Sequence, residues 1–221
     1  MSKAKRLREL AKKRQRDRWD GFNCIGDYHT GAYECAHVSP YTISAKNYDA
    51  DLFLLLQDWS SHSFLSKPVN RDVQRLGHAP TLPTNRNLLA LLRAHFDREL
   101  SSVYATNLFP FVKPDGLSAE IPRALLVKAA EEYALPQVAI VRPKIVVCLG
   151  LATFNALRSA CGLLGCESVA IAVGSEFTWK GAQVWAQAHP GYFGQIGRNT
   201  GGVDRVRSDW QRMKAALDAR A

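Results

Sequence analysis

Three short polar clusters in this chain carry side chains able to do chemistry, and each accompanies an apolar run. Gln57-Asp58-Trp59-Ser60-Ser61 places a carboxylate after Leu52–Leu56. Thr106-Asn107 sets an amide within Val103–Phe109, and His189-Pro190-Gly191 sets an imidazole after Gln183–Ala188. A carboxylate can polarise water or stabilise a developing cation, and an imidazole can donate or accept a proton near neutral pH. An amide offers donor and acceptor side by side, so it reads hydrogen-bond polarity. Taken singly, an Asp after a strand reads as a helix cap and a His-Pro as a turn. Their placement at equivalent strand ends is what points to a site.

Other chemistries lack their sequence requirements. No G-x-S-x-G is present, which removes an α/β-hydrolase nucleophile, and no Walker or G-x-G-x-x-G sequence follows a strand. The five cysteines (Cys24, Cys35, Cys148, Cys161 and Cys166) include no CxxC pair, which predicts reduced thiols in a reducing compartment. Cys24, His29, Cys35 and His37 match no ordinary structural zinc spacing. No metal and no cofactor are expected.

The elements that must position these residues follow from hydrophobic pattern. Leu52–Gln57, Val103–Phe109, Lys144–Gly150 and Gln183–Ala188 read as strands, and near-continuous apolar runs of this kind are buried on both faces. Helical spacing appears over Asn87–Leu100, over Ala119–Val141 with a break at Pro136, and over Ala152–Cys161. It returns in the stripe Val203, Val206, Trp210, Met213 and Leu217. Alternation of the two predicts an α/β protein, a three-layer α/β/α sandwich around a mainly parallel four-stranded sheet. Ser168–Gly181 reads as an extra strand pair turning near Gly174–Ser175, and residues 19–49 as an irregular wrap. Ligands of such sheets bind outside the carboxyl ends of the strands, where the three polar clusters fall.

The chain has 221 residues, 47% hydrophobic and 22% charged, which is ordinary globular composition for one domain. Its apolar runs are far shorter than the roughly 20 residues of a membrane span, and no apolar segment follows the basic N-terminus as in a secretory signal. A soluble, cytoplasmic, nucleoid-associated monomer with no membrane partner is expected. Residues 1–20 hold nine Lys/Arg against three acids, a net +6 out of the whole chain's +9. They read as a basic arm or helix ahead of a single domain over 21–221. Such a segment either meets a polyanion or stands as a solvated tail.

Over Asp51–Gln195 the chain resembles the uracil-DNA glycosylase superfamily. Leu52–Ser61 is similar to that superfamily's first motif, GQDPYH, and Thr106-Asn107-Leu108-Phe109-Pro110 to its TN-containing strand. Arg142–Gly150 is similar to the PKvivaLG strand of its bacterial branches, and Ala188-His189-Pro190-Gly191-Tyr192 to HPSP. The resemblance implies a DNA glycosylase of base-excision repair that flips a nucleotide out of the stack before hydrolysing its glycosidic bond. Asp58 and His189 would be catalytic, the first acting on water and the sugar cation, the second donating to uracil O2. Asn107 would accept from N3–H and donate to O4, while Phe64 or Trp59 would stack on the base, beside Gln57.

For DNA contact the resemblance implies Ser60 and Ser61 on phosphates and a loop over Gly191–Asn199 entering the minor groove. That loop carries Tyr192, with Phe193 or Gln195 as wedge and Arg198 on a phosphate. The stretch Lys67–Arg86, with Arg71, Arg75 and Arg86, reads as a long basic loop that clamps DNA or stays solvated. Two departures matter. The Tyr of GQDPYH that rejects the thymine methyl is missing, which leaves other deaminated or oxidised bases open as substrates. The cysteines of the iron–sulfur branches are absent, Phe109, Phe111 and Val112 standing in one of their regions, so no cluster is expected. A non-catalytic binder of damaged or abasic DNA on the same fold is the alternative reading.

Overall fold

A computed structural model describes residues 1–220 of the chain. In sequence order its elements begin with α1 (Lys3–Arg16), β1 (Leu52–Asp58), α2 (His62–Leu65), α3 (Arg71–Leu76), α4 (Pro83–Phe96) and β2 (Tyr104–Phe109). Then come α5 (Arg123–Ala129), α6 (Leu135–Val141), β3 (Ile145–Leu149), α7 (Leu151–Ala160) and α8 (Val169–Val173). The chain closes with β4 (Phe177–Trp179), β5 (Ala182–Gln187), α9 (Tyr192–Arg198) and α10 (Arg205–Asp218). No helix among the described residues is long and apolar enough to cross a membrane.

The sheet has five strands in the order β2-β1-β3-β5-β4. The first four run parallel, and β4 joins β5 antiparallel through a tight turn. Successive side chains of a strand point to opposite faces, and both faces are apolar. Phe53, Leu55, Val146, Cys148, Val184 and Ala186 pack toward α5–α7 and α1. Leu52, Leu54, Leu56, Val147, Leu149 and Trp185 pack toward α4 and α10, whose Trp210 and Met213 are fully buried. Helices therefore cover both faces, as strands without a polar face require.

Several expected segments fold otherwise. The sheet has a fifth strand beside the four expected: of the extra strand pair expected over Ser168–Gly181 only the second half is extended, and it joins the sheet as β4. The first half is α8, where Ser168 Oγ accepts the Ile171 N–H at 3.3 Å and this cap outweighs the β-branched residues that follow. The helix expected over Ala119–Val141 passes through Pro136 without stopping. A wider π-turn at Ala130–Ala134 lies just before the proline, where an α-turn would lose a hydrogen bond and clash with the pyrrolidine ring.

Neither long loop is a loop. Lys67–Arg86 contains α3, capped by Asn70 Oδ1 on two backbone N–H groups, and its last residues belong to the first turn of α4. Gly191–Asn199 contains α9.

The basic N-terminal segment is a docked helix. Ser2 caps α1, and Leu7, Ala11 and Arg14 form its buried stripe. Lys3 Nζ donates to the carbonyls of Tyr48 (3.0 Å) and Val141 (2.8 Å). Arg14 is fully buried, donating to Glu34 (2.7 Å) and to the carbonyls of Cys35 (3.2 Å) and His37 (2.8 Å). An Arg among core positions is masked in a hydrophobicity pattern, so the stripe reads as solvated charge. Removing the guanidinium takes from Glu34 its charge partner, leaving it the Gln15 amide and the Cys35 N–H, and empties a fully buried space, which costs several kcal/mol. Arg14→Ala should therefore lower stability by about 3 kcal/mol in urea unfolding, whereas a solvated arm would show almost no change.

Candidate active site

Strand alternation puts the three chemical residues on one side of the sheet. Asp58 shares a face with Leu54 and Leu56, and Asn107 shares it with Val103 and Ala105. Extending the same alternation two residues beyond β5 brings His189 to the face of Trp185 and Gln187. The register pairs Leu56 with Asn107, so the amide lies beside the last turn of β1. At β1 the chain order reverses, with β2 on one flank and β3 on the other, and crevices open at such reversals. A cavity of about 170 Å³ lies there. Asp58, Asn107 and His189 line it together with Gln57, Trp59, Ser60 and Phe64.

Asp58 is mostly buried, and its Oδ2 lies 3.1 Å from Nζ of Lys113, itself only 2% exposed. The same ammonium donates to the Leu117 carbonyl. A bridge between Ser61 and Lys113 fixes the lysine backbone, the His62 N–H donating to the Lys113 carbonyl at 2.7 Å. Burial pushes the Asp58 carboxyl above its usual range, and the Lys113 charge works against that shift.

Asn107 is 1% exposed and held from behind, its Oδ1 accepting from Ser39 Oγ at 2.6 Å. Ser39 Oγ in turn accepts the Tyr41 N–H at 3.2 Å. This leaves Asn107 Nδ2 buried with no partner, and Ser60 Oγ is unpartnered as well. An orphaned buried donor costs about 1–3 kcal/mol. Two such atoms in one cavity are what a pocket built for a polar ligand contains.

His189 stands exposed at the cavity mouth, with Nδ1 accepting the Gly191 N–H at 3.0 Å. A neutral imidazole accepting at Nδ1 carries its proton on Nε2. Partial burial, then the nearby Lys113 charge, pushes its pKa below the ordinary value, so the neutral ring prevails at neutral pH. Two glycines permit the arrangement by lacking a side chain. A Cβ on Gly191 would lie 2.8 Å from His189 Nδ1, and one on Gly194 would lie 2.2 Å from the His189 carbonyl oxygen.

The remaining expected residues are scattered. Trp59 lines the cavity but its Nε1 donates to the Gly77 carbonyl at 2.7 Å, and Phe64 is half-buried beside it. Tyr192 (64%) and Phe193 (87%) are largely exposed on α9 and pack edge to face. Arg71, Arg75 and Arg86 are exposed outside the cavity, Arg75 pairing with Asp72 at 3.0 Å.

Two phosphate-contact expectations fail on geometry. Ser61 is fully buried at the start of α2, with its Oγ 3.3 Å from Ser63 Oγ. Arg198 is committed to both oxygens of the buried Asp209, at 2.6 and 3.0 Å. Cys24 Sγ donates to the Asp17 carbonyl at 3.5 Å, Cys35 Sγ to the His37 carbonyl at 3.7 Å, and His29 Nε2 lies 2.7 Å from the Leu65 carbonyl. Among the described residues no group of three or more His, Cys, Asp or Glu side chains is arranged to hold a metal ion.

Sequence reading missed Lys113, Ser39, Tyr41, His78 and Asn85. Tyr41 and His78 stack at 5.1 Å, and Tyr41 Oη donates to Asn85 Oδ1 at 3.2 Å, on the cavity wall opposite the strand ends. Only the Ser-Pro of Ser39-Pro40, a helix-start signal, was legible. Lys113 sits between prolines in a stretch with no periodicity.

No protein-family model matches the chain, and no curated protein matches it in sequence. The site therefore stands on its own geometry. In ¹⁵N NMR spectra at pH 7, His189 should show a bare Nδ1 and a protonated Nε2, titrating below the ordinary histidine range. The reverse tautomer would contradict the Gly191 contact.

Proposed function

We propose that the chain is a DNA glycosylase that hydrolyses the N-glycosidic bond of uracil, and of other bases carrying a carbonyl at the same edge, in DNA. The observation that carries this reading is one cavity lined by a paired carboxylate, an orphaned amide donor and an imidazole, with exposed aromatics on the helix that follows the imidazole. The likeness of the strand-end motifs to the uracil-DNA glycosylase superfamily supports it.

In this reading the target nucleotide leaves the stack and its base enters the cavity. Phe193, at the start of α9, fills the gap in the duplex. Asn107 Nδ2 donates to a base carbonyl. Its Oδ1 is occupied by Ser39, so the amide selects for an acceptor at that position and against an exocyclic amine. Asp58 orients water toward C1′ and stabilises the cationic sugar as the C1′–N bond breaks. The electrons of that bond leave with the base, and His189 Nε2–H bonds the oxygen on which the negative charge collects. Water adds to C1′ and passes a proton to Asp58, and the released base anion takes up a proton from solvent, giving an abasic sugar and the free base. Because the imidazole is neutral, it stabilises that oxyanion as a hydrogen-bond donor.

The second reading, a non-catalytic binder of damaged or abasic DNA, draws on the Lys113 ammonium. It neutralises Asp58 and so weakens the carboxylate toward water. Duplexes with one lesion each, incubated with the protein and cleaved by alkali, decide between the two. Strand scission at uracil is expected, and Asp58→Asn or His189→Gln should slow it about 100- to 1000-fold. Tight binding with intact strands for every lesion would establish the binder instead.

The pH profile has a definite sign. Activity needs ionised Asp58 and so rises with pH through the carboxyl pKa. Lys113 favours the ionised form, and without it the carboxyl titrates higher. Lys113→Met should therefore move the rising limb of the rate profile to higher pH. A limb that stays in place would remove Asp58 from the titrating step.

A further inference from the structure

The amino-terminal end of the sheet, opposite the pocket, carries a second concave surface. Arg6 of α1, Arg142 after α6, Lys144 before β3, Lys180 in the β4–β5 turn and Arg220 after α10 surround a cavity of about 520 Å³. Its other lining residues are apolar or glycine. Among the described residues, none of these five cations has an Asp or Glu within ion-pair distance. Asp51, which feels the Lys144 charge, is taken by the Arg98 guanidinium. Five like charges around one hollow repel each other and destabilise the folded chain unless an anion sits among them.

The backbone adds an independent observation. Arg142 (φ +59°) and Lys180 (φ +46°) lie in the left-handed region, which strains any residue with a Cβ. Arg142 occupies the helix-terminating position that favours Gly or Asn. Lys180 precedes Gly181 in a two-residue hairpin turn where Asn-Gly is preferred. Backbone preference opposes a cation at both places, and both side chains face the same cavity.

Further cations lie along α1, the helix that brings Arg6 to the cavity. Lys5, Arg8, Lys12 and Arg16 are all exposed and share the helix face opposite the buried Leu7, Ala11 and Arg14, a face that also carries Glu9, paired with Lys12 at 3.1 Å. At 1.5 Å per residue that row extends about 17 Å. A line of cations ending in a cationic hollow matches a chain of phosphates rather than one compact anion.

We propose that this cavity and the outer face of α1 form a second phosphate-binding surface that takes the backbone of a nucleic-acid strand. The seven residues of β1 hold it about 23 Å from the pocket, so one molecule contacts nucleic acid at both ends of its sheet. The surface does not require that the pocket cleave a glycosidic bond.

The test uses the double variant Arg142→Gly, Lys180→Asn, which removes two charges and installs residues that left-handed backbone favours. Its thermal midpoint should not fall. Binding of a labelled undamaged duplex, followed by fluorescence polarisation across a salt series, should weaken about tenfold or more at moderate salt. The slope of log K against log salt should become shallower by about 1.8, since each phosphate contact contributes about 0.9. Arg6→Gln with Lys144→Gln should act the same way and guards against a local effect of the first pair. Wild-type affinity and slope in both double variants would overturn the proposal. Inorganic tripolyphosphate identifies the source of phosphate. If it binds the wild type but not the variants while duplex affinity is unchanged, the cavity takes a free polyphosphate and the nucleic-acid assignment falls. Uracil release from a short oligonucleotide at saturating enzyme should be the same in wild type and variants, so a failure of the glycosylase reading leaves the binding result intact.

Discussion

The parallel pairing of β1 with β2 on one side and β3 on the other constrains everything that follows. Each strand must bury both faces, so its residues are apolar wherever helices cover them. Polar side chains are admitted only where the strands run out. Register then fixes which polar residues meet: Asn107 lies opposite Leu56, and Asp58 follows two residues later on the same face. A slip of one residue would send Asp58 and Asn107 to opposite sides of the sheet.

Within that frame the site is governed by one buried charge pair. Lys113 has almost no exposure and depends on Asp58 for compensation, while the Lys113 charge offsets part of the penalty that burial puts on ionised Asp58. On His189 the same ammonium adds to partial burial in favouring the neutral imidazole. One lysine thus acts on both groups, opposing the effect of burial on Asp58 and adding to it on His189, with its own position fixed by the strand-like bridge to Ser61.

Glycines complete the arrangement by their size. Gly191 and Gly194 let α9 fold back so closely on His189 that any Cβ would strike its ring or its carbonyl. The consequence is a short helix whose first residues, Tyr192 and Phe193, project into solvent beside the cavity. In a sequence, the glycines of Gly191–Asn199 suggest a mobile loop. They are a condition for packing helix against imidazole.

How much was legible follows the range of the interactions involved. Strands, their α/β alternation and the place of Asp58, Asn107 and His189 in or just after apolar runs are matters of local hydrophobic pattern, so the sequence by itself determined them, whereas their common face follows from strand register. Short helices stabilised by single caps, such as α8 after Ser168 and α3 after Asn70, were hidden because one side-chain hydrogen bond decides them against β-branched or loop-like composition. Arg14 and Lys113 were hidden because a buried charge is identical in sequence to a solvated one. Only the tertiary structure decided that Arg14 joins the core, that Arg198 is spent on Asp209, and that Ser39 turns the Asn107 amide so that its donor faces the pocket. Each of these depends on a partner far away in the chain, and desolvation gives such a partner its energetic weight only after the backbone has brought the two together.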